Sequence, residues 1–258
     1  MSMKPVAYLA ITLPHYAMTD AGPMDSYPQI FDRFAECLLP SGLSDATLLE
    51  FMALGHSASP AKGDEIRFPE DASGDCHVFL SRGASKLVAH ASGGREQIVA
   101  FHFAGDFVYV PASTSHAYVI CALEECDLLV FPGEAFQKLA CREPEILTHV
   151  LERVELALSR CRDKAVSLGR KCASERLADF LLGMGERIGI AEGGGCTMSL
   201  PMSRRDIGDS LGLTIETISR QLTELKDAGL LETSGRSTVR LLDIEAIKER
   251  AGHFCIAV

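Results

Sequence analysis

Arg220 and Glu216 are the side chains in this sequence whose types and spacing are most informative. A guanidinium is a planar fork that matches O6 and N7 of guanine in the DNA major groove. A carboxylate one helical turn earlier lies on the same helix face and can accept from a cytosine amino group. Ser219, between them in sequence, can touch a thymine or a phosphate, and Thr217 shares their polar face. The competing reading is a solvent-facing Glu–Arg pair at i, i+4, which is worth only ~0.3–0.5 kcal/mol. Thr214, at a helix start, and Arg236, in a turn, read either as phosphate contacts or as a plain cap and a solvated turn.

These residues need a frame, and the surrounding sequence supplies one. Ser203 can cap a helix with Asp206 three residues on; Ile207 and Leu211 face inward and Gly212 ends it. Thr214 caps a second helix with Ile215, Ile218, Leu222 and Leu225 on its buried side, closed by Gly229. Two helices about a tight Gly turn make a helix-turn-helix. The β-like runs Leu230–Glu232 and Thr238–Leu241, turned at Ser234-Gly235-Arg236, predict a wing hairpin.

Upstream, Leu147, Leu151, Val154, Leu158, Cys161, Ala165 and Leu168 step alternately by four and three. That is a narrow a/d seam with charges such as Glu152, Arg153, Glu155, Arg160, Arg162 and Asp163 around it. A narrow seam favours a helix that pairs with its twin over one packed on its own domain. A second helix is expected over about Ser174 to Arg187. Between residues 62 and 131, short β-rich runs alternate with Gly turns: 63–68, 76–80, 86–89, 97–101, 118–120 and 128–131. Such spacing predicts an antiparallel barrel or sandwich rather than βαβ units. Residues from Tyr27 to about Ala58 read as helical, with Ser44 as an N-cap, and residues 1–26 as a poorly ordered arm.

The 258 residues suit two modest domains. A 47% hydrophobic and 23% charged composition excludes wholesale disorder. No apolar run reaches the ~20 residues needed to span a bilayer. Pro14 and His15 break the one early apolar stretch, so no signal peptide is read. Nine scattered cysteines point to a reducing cytoplasm. Net charge is −10 and unevenly spread: residues 1–143 carry 9 Lys+Arg against 18 Asp+Glu, but residues 199–258 carry 8 against 9. A locally basic face in the last part is therefore compatible with an acidic whole. Gly193-Gly194-Gly195 reads as a flexible loop without the Lys-Ser/Thr of a phosphate loop. With no Ser/His/Asp order and no His-x-x-x-His spacing either, an enzyme is not expected. A ligand-binding barrel alone would leave the Glu216–Arg220 face unexplained.

Asp206-Ile207-Gly208, Leu211-Gly212-Leu213-Thr214 and Glu216-Thr217-Ile218-Ser219-Arg220 resemble the winged helix-turn-helix of the CRP/FNR family of bacterial transcription regulators, in its FNR-like Glu-x-x-Ser-Arg form. Phe101 to Phe107 is similar to the family's sensor-barrel sequence, and the seam helix lies where the family dimerises. The resemblance covers about residues 27–252. It implies an α+β fold: an N-terminal antiparallel β-roll over 27–143, a dimerisation helix over 144–170 and a winged helix-turn-helix over 171–258. It further implies a cytoplasmic homodimeric regulator, in most cases an activator, partnered by RNA polymerase and a double-stranded TTGA…TCAA operator, in low-oxygen or nitrogen-oxide respiration. No membrane partner is expected.

The family's signals are checked against the residues. Cyclic-nucleotide binders hold the phosphate with an Arg and a Ser or Thr beside Gly-Glu. Here Gly105 is followed by Asp106, Ser115-His116-Ala117 stands where the basic residue is expected, and Gly105 to Glu124 has no Arg or Lys. Cyclic AMP is therefore not expected. Oxygen-sensing members hold an iron–sulfur cluster on an N-terminal cysteine cluster plus one barrel cysteine. Here Cys37 is the first cysteine, Leu129 stands near the barrel position, and Cys121 and Cys126 are only two ligands. No such cluster is expected, and no metal. His77, His90, His102 and His116 are the residues that a haem would need, although lone strand histidines are usually structural. What remains resembles the FixK branch, which lacks an obvious cofactor. Cys161 and Cys172 are the candidates for redox control.

Overall fold

The computed structural model describes residues 25–66, 74–91, 95–112 and 116–252. Of the expected N-terminal arm, residues 1–24 lie outside the described residues. The chain opens with α1 (Tyr27–Leu38) and α2 (Asp45–Leu54), started by Ser26 and by Ser44, whose side chain accepts from the Thr47 amide. The expected helical text stops short of Ala58: after Gly55 the backbone extends into β1 (His56–Ala58).

The barrel is built from β1, β2 (Cys76–Arg82), β3 (Ala84–Ala91), β4 (Arg95–Phe103), β5 (Phe107–Val110), β6 (Ala117–Ala122) and β7 (Asp127–Pro132). They form two antiparallel sheets, ordered β1-β7-β2-β5 and β4-β3-β6. Of the run expected at 63–68, Glu65 makes only a single bridge to Cys121, and residues 67 and 68 lie outside the described residues. The pleat sorts the central strands by face. Val78, Leu80, Leu128 and Val130 point between the sheets, whereas Phe79, Leu129 and Phe131 point outward. That outer face is covered by Ile30, Phe31 and Phe34 of α1, Phe51 of α2 and Phe136 of α3 (Gly133–Ala140). Phe34 is central there, with its ring 4.7 Å from Phe131 and 5.6 Å, edge-on, from Phe79. β2 is thus buried on both faces, which erases the alternation a half-exposed strand would show. At the β2–β3 turn Gly83 has φ +90°, and a Cβ there would lie 2.4 Å from the Glu125 carbonyl oxygen, so only glycine fits.

α4 (Pro144–Arg170) has 27 residues, a rod ~40 Å long at the usual rise. Only Ile146 and Ser167 along it are buried in the protomer. Beyond it α5 (Ala173–Ile188) leads to β8 (Ile190–Glu192), β9 (Gly195–Ser199), α6 (Arg204–Leu211), α7 (Ile215–Asp227), β10 (Leu231–Ser234), β11 (Thr238–Leu241) and α8 (Ile244–Arg250). The glycine run read as a flexible loop is instead the tight turn of the β8–β9 hairpin, with Gly193 and Gly194 at φ +53° and +91°. The sheet order is β10-β11-β9-β8. Leu177, Leu181, Ile207, Leu211, Ile218, Leu225 and Leu241 form the core of this head. The same apolar cluster continues through Phe101 and Ile98, so the head is docked on the outside of the β4-β3-β6 sheet. No described helix is long and apolar enough to cross a membrane.

Candidate nucleic-acid interface

Local capping fixes the two helices that carry the functional face. The Ser203 hydroxyl accepts from the Asp206 amide at 3.2 Å, and the Asp206 carboxylate accepts from the Ser203 amide at 2.8 Å, a reciprocal capping box. Gly212 ends α6 in the left-handed region, at φ +64°, where side chains are strained. The Thr214 hydroxyl then accepts from the Thr217 amide at 3.2 Å and starts α7. Thr214 therefore does serve as a cap, whatever else it touches. Ile218, Gln221, Leu222 and Leu225 bury one side of α7 and leave the other to solvent.

On that open side Glu216 and Arg220 are exposed, and Thr217 and Ser219 are half-buried. The pairing considered from sequence, Glu216 with Arg220, is not the one formed. Arg220 Nε lies 3.9 Å from Glu224, while hydrogen bonds from its own backbone amide and from the Thr214 hydroxyl hold the Glu216 carboxyl below the usual range. Glu216 is thus ionised and drawn to the positive end of α7, and Arg220 keeps a loose contact that a better partner can replace. The Arg204 guanidinium reaches across from α6 and donates to the Ser219 hydroxyl at 3.3 Å. With one lone pair so occupied, the hydroxyl is free to donate its proton toward an acceptor. Arg236 is exposed in the wing turn.

Sequence reasoning missed Arg204 and Arg205. Both are exposed on the first turn of α6, and the consecutive arginines directly after the Ser203 cap were the available signal. It also missed a crevice of about 380 Å³ between α7 and the wing, whose charged lining residues are Lys226, Arg240 and Glu232. Three elements of the head therefore present cations: Arg204 and Arg205 from α6, Arg220 and Lys226 from α7, and Arg236 from the wing, where Arg240 lies between Glu192 and Glu232 at 3.7 and 3.8 Å.

The seam residues Leu147, Leu151, Val154, Leu158, Cys161 and Ala165 are exposed along α4, with Leu151 56% accessible. Leu168 differs: it is half-buried and packs toward Gly212 at the turn of the head. Leu156 and Val166, outside the seam, are exposed as well.

The barrel residues considered for sensing do not converge. His77 is buried on β2 and stacked on Phe107 at 5.1 Å. His102 lies on β4, in the other sheet, with Ser85 beside it. Burial lowers both imidazoles to about 4, opposed by Asp75 and Asp106 respectively. His90 sits 3.5 Å from Glu96, and His116 is exposed immediately before β6. Burial raises the thiols of Cys37, Cys76 and Cys121, and it takes Cys126 up to about 12. Cys161 and Cys172 are exposed. Among the described residues no group of three or more metal-ligating side chains forms.

The space between the sheets is filled by Val78, Leu80, Val108, Val110, Ile120 and Val130. Arg82 is engaged by Asp127 and Glu125, and Lys86 by Asp206. Asp106, which follows Gly105, is an anion already matched by Arg187 at 2.6 Å and Arg160 at 3.8 Å. Ser115 lies outside the described residues.

Residues 60–143 match the cyclic nucleotide-binding domain, and residues 175–250 the Crp-like helix-turn-helix domain. The chain is 37% identical to the nitrogen fixation regulation protein FixK of Bradyrhizobium diazoefficiens over 191 residues, 74% of this chain and 80% of that one. It is 31% identical to the transcriptional activator protein FnrL of Cereibacter sphaeroides, over 70% of this chain and 75% of the relative. The solved structure of FixK2 from Bradyrhizobium japonicum superposes with a TM-score of 0.66 at 33% identity, covering 76% of this chain and 96% of that one. A CooA mutant from Carboxydothermus hydrogenoformans shares the fold, with a TM-score of 0.69 at 22% identity over 84% of this chain and 94% of that one.

Proposed function

The chain belongs to the CRP/FNR family of transcription regulators, and from that premise we propose that it works as a homodimer reading a TTGA…TCAA inverted repeat. The open face of α7 carries this reading. Glu216, Ser219 and Arg220 lie together on it, Thr214 and Thr217 stand at its start, and Arg204 braces it from α6. Arg220 takes the guanine, Glu216 the cytosine amino group, and Ser219 a thymine or phosphate. Thr214, Arg236 and the two α6 arginines hold phosphates and set the register.

Reading a repeat requires two such helices about one turn of DNA, ~34 Å, apart. The apolar seam from Leu147 to Ala165, closed against a second copy, supplies the dimer. Domains follow as a β-roll over 27–143, a dimerisation helix over 144–170 and a DNA-binding head over 171–258. RNA polymerase is the downstream partner, activation the usual outcome, and low-oxygen or nitrogen-oxide respiration the context. Because residues 105–124 carry no Arg or Lys and the described cysteines form no four-thiolate cage, the dimer binds without nucleotide and in air. Control then falls to its abundance or to oxidation at Cys161 or Cys172, with a haem-dependent regulator of the same family as the alternative. The test is binding to the repeat, a single half-site and a scrambled duplex at one stated salt concentration. Preference for the repeat over the half-site over scrambled DNA supports the reading; equal affinity for all three contradicts it.

A further inference from the structure

Lys164 lies on α4, half-buried, and burial brings its ammonium down to about 8. Its three donors are all engaged: with the backbone oxygens of Ile98 and Val99 at 2.7 and 2.9 Å, and with the Ser210 hydroxyl at 2.8 Å. Ile98 and Val99 belong to β4 of the barrel, and Ser210 is buried in α6 of the head. One cation on the dimerisation helix therefore ties together the two bodies that flank it. Its partners are neutral oxygens rather than a carboxylate. Such an arrangement is costly to desolvate, and an apolar side chain of similar volume would usually stabilise as well or better.

The neighbouring contacts grip the same short stretch of chain. The Gln97 side-chain amide donates to the backbone oxygens of Asp209 and Ser210 at 2.6 and 3.2 Å. Arg176 links Leu211 and Leu168 through their backbone oxygens at 3.0 and 2.8 Å. Residues 209–211 are the last turn of α6, immediately before Gly212 redirects the chain into α7. Lys86 holds the other end of α6 through Asp206 at 2.6 Å, beside a crevice of about 350 Å³ between barrel and head. The direction in which α7 leaves the protein is thus set by contacts of α6 with β3, β4, α4 and α5, and among the described residues Lys164 on α4 hydrogen-bonds both β4 and α6.

We infer that Lys164 is a positioning residue for operator binding: from the dimerisation helix it fixes the angle of the head on the barrel, and with it the separation of the two recognition helices. This inference rests on the dimeric reading of an inverted repeat proposed above. Lys164 touches no DNA in this role; it acts through the last turn of α6.

Lys164→Met keeps the aliphatic stem and removes the three donors. The full-length variant and the wild type are titrated with the repeat, with a repeat carrying two extra base pairs between half-sites, and with a single half-site. The variant should lose on the order of tenfold affinity or more for the repeat, because simultaneous engagement depends on geometry. It should keep the half-site affinity and discriminate less between the two spacings. Unchanged repeat affinity and spacing preference overturn the inference, as does an equal loss on repeat and half-site, which would mark a damaged head. Ser210→Ala leaves the ammonium on β4 and removes one bond to α6. It should relax the spacing preference in the same direction by a smaller factor, and if Lys164→Met does not fold, an unchanged preference here overturns the inference. A wild type that binds neither duplex better than scrambled DNA overturns the operator reading itself, and the inference falls with it.

Discussion

In the head, Arg220 stands 68% exposed with Glu224 a loose 3.9 Å away; in the barrel, Arg82 donates at 2.7 Å to the fully buried Asp127, which also accepts from Ser59 at 2.8 Å. The first pair contributes little and can be exchanged for a base. In the second pair, removing one member strands a charge in the core. Other side chains divide the same way. Thr214, Thr217 and Arg236 in the head remain within reach of solvent, whereas His77 and His102 in the barrel are buried as neutral rings, and Cys76 and Cys126 as protonated thiols. Residue type names a possible chemistry; burial and prior commitment decide whether that chemistry is open to a partner.

The contrast can be broken at its joint. Leu158→Asp places a charge in the seam, and because Leu158 is 46% exposed in the protomer, the protomer itself should fold normally. Sedimentation should show a shift to monomer, and operator affinity should fall by ~10²–10⁴ as bivalent engagement is lost. An unchanged dimer would remove α4 from the interface. On the head side, Arg220→Ala should cost ~1–3 kcal/mol per half-site and flatten the preference at the guanine. Competition with base-substituted duplexes checks this, and an unaltered preference would show that another side chain reads that position.

On the barrel side the expected effect is acid destabilisation. The unfolded chain takes up protons on its histidines near the ordinary value of 6.5, whereas folded His77 and His102 resist until about 4. Stability is therefore full above that ordinary value and declines as pH falls toward the folded one, by ~1.4 kcal/mol per unit and group, or ~3 kcal/mol for each. Denaturant melts across that range check it, and His77→Phe should flatten the slope by about half. The smallest effect belongs to Glu216→Ala. An acidic group near phosphates opposes binding unless a base donates to it, so base preference should change more than total affinity. Equal affinity and equal preference would reduce Glu216 to a favourable charge at the start of α7.

Legibility in the sequence follows the same division. The helix-turn-helix and wing were read element by element because their signals are short-range, Ser203 with Asp206, Gly212 at positive φ, Thr214 with Thr217, whereas β8, β9 and α8 were not read. The barrel was readable as a class, but not strand by strand. β5 is only four residues long, and α3 starts at Gly133 with no side-chain cap. The grip of the barrel on the head had no local signal at all. Lys86 and Asp206 are 120 residues apart in sequence, and Gln97 and Asp209 are 112 apart. Lys164 was not singled out from the sequence, because nothing in its neighbours tells a solvated lysine from one shared between β4 and α6.

The most direct test of the account is one titration of the purified wild-type protein with the TTGA…TCAA repeat, repeated in air, without oxygen, with cyclic AMP, and with peroxide followed by reductant. The account predicts one tight affinity, set by a dimer, in the first three conditions, and any loss with peroxide restored by the reductant. A requirement for cyclic AMP or for strict exclusion of oxygen before the repeat is preferred over scrambled DNA would contradict it.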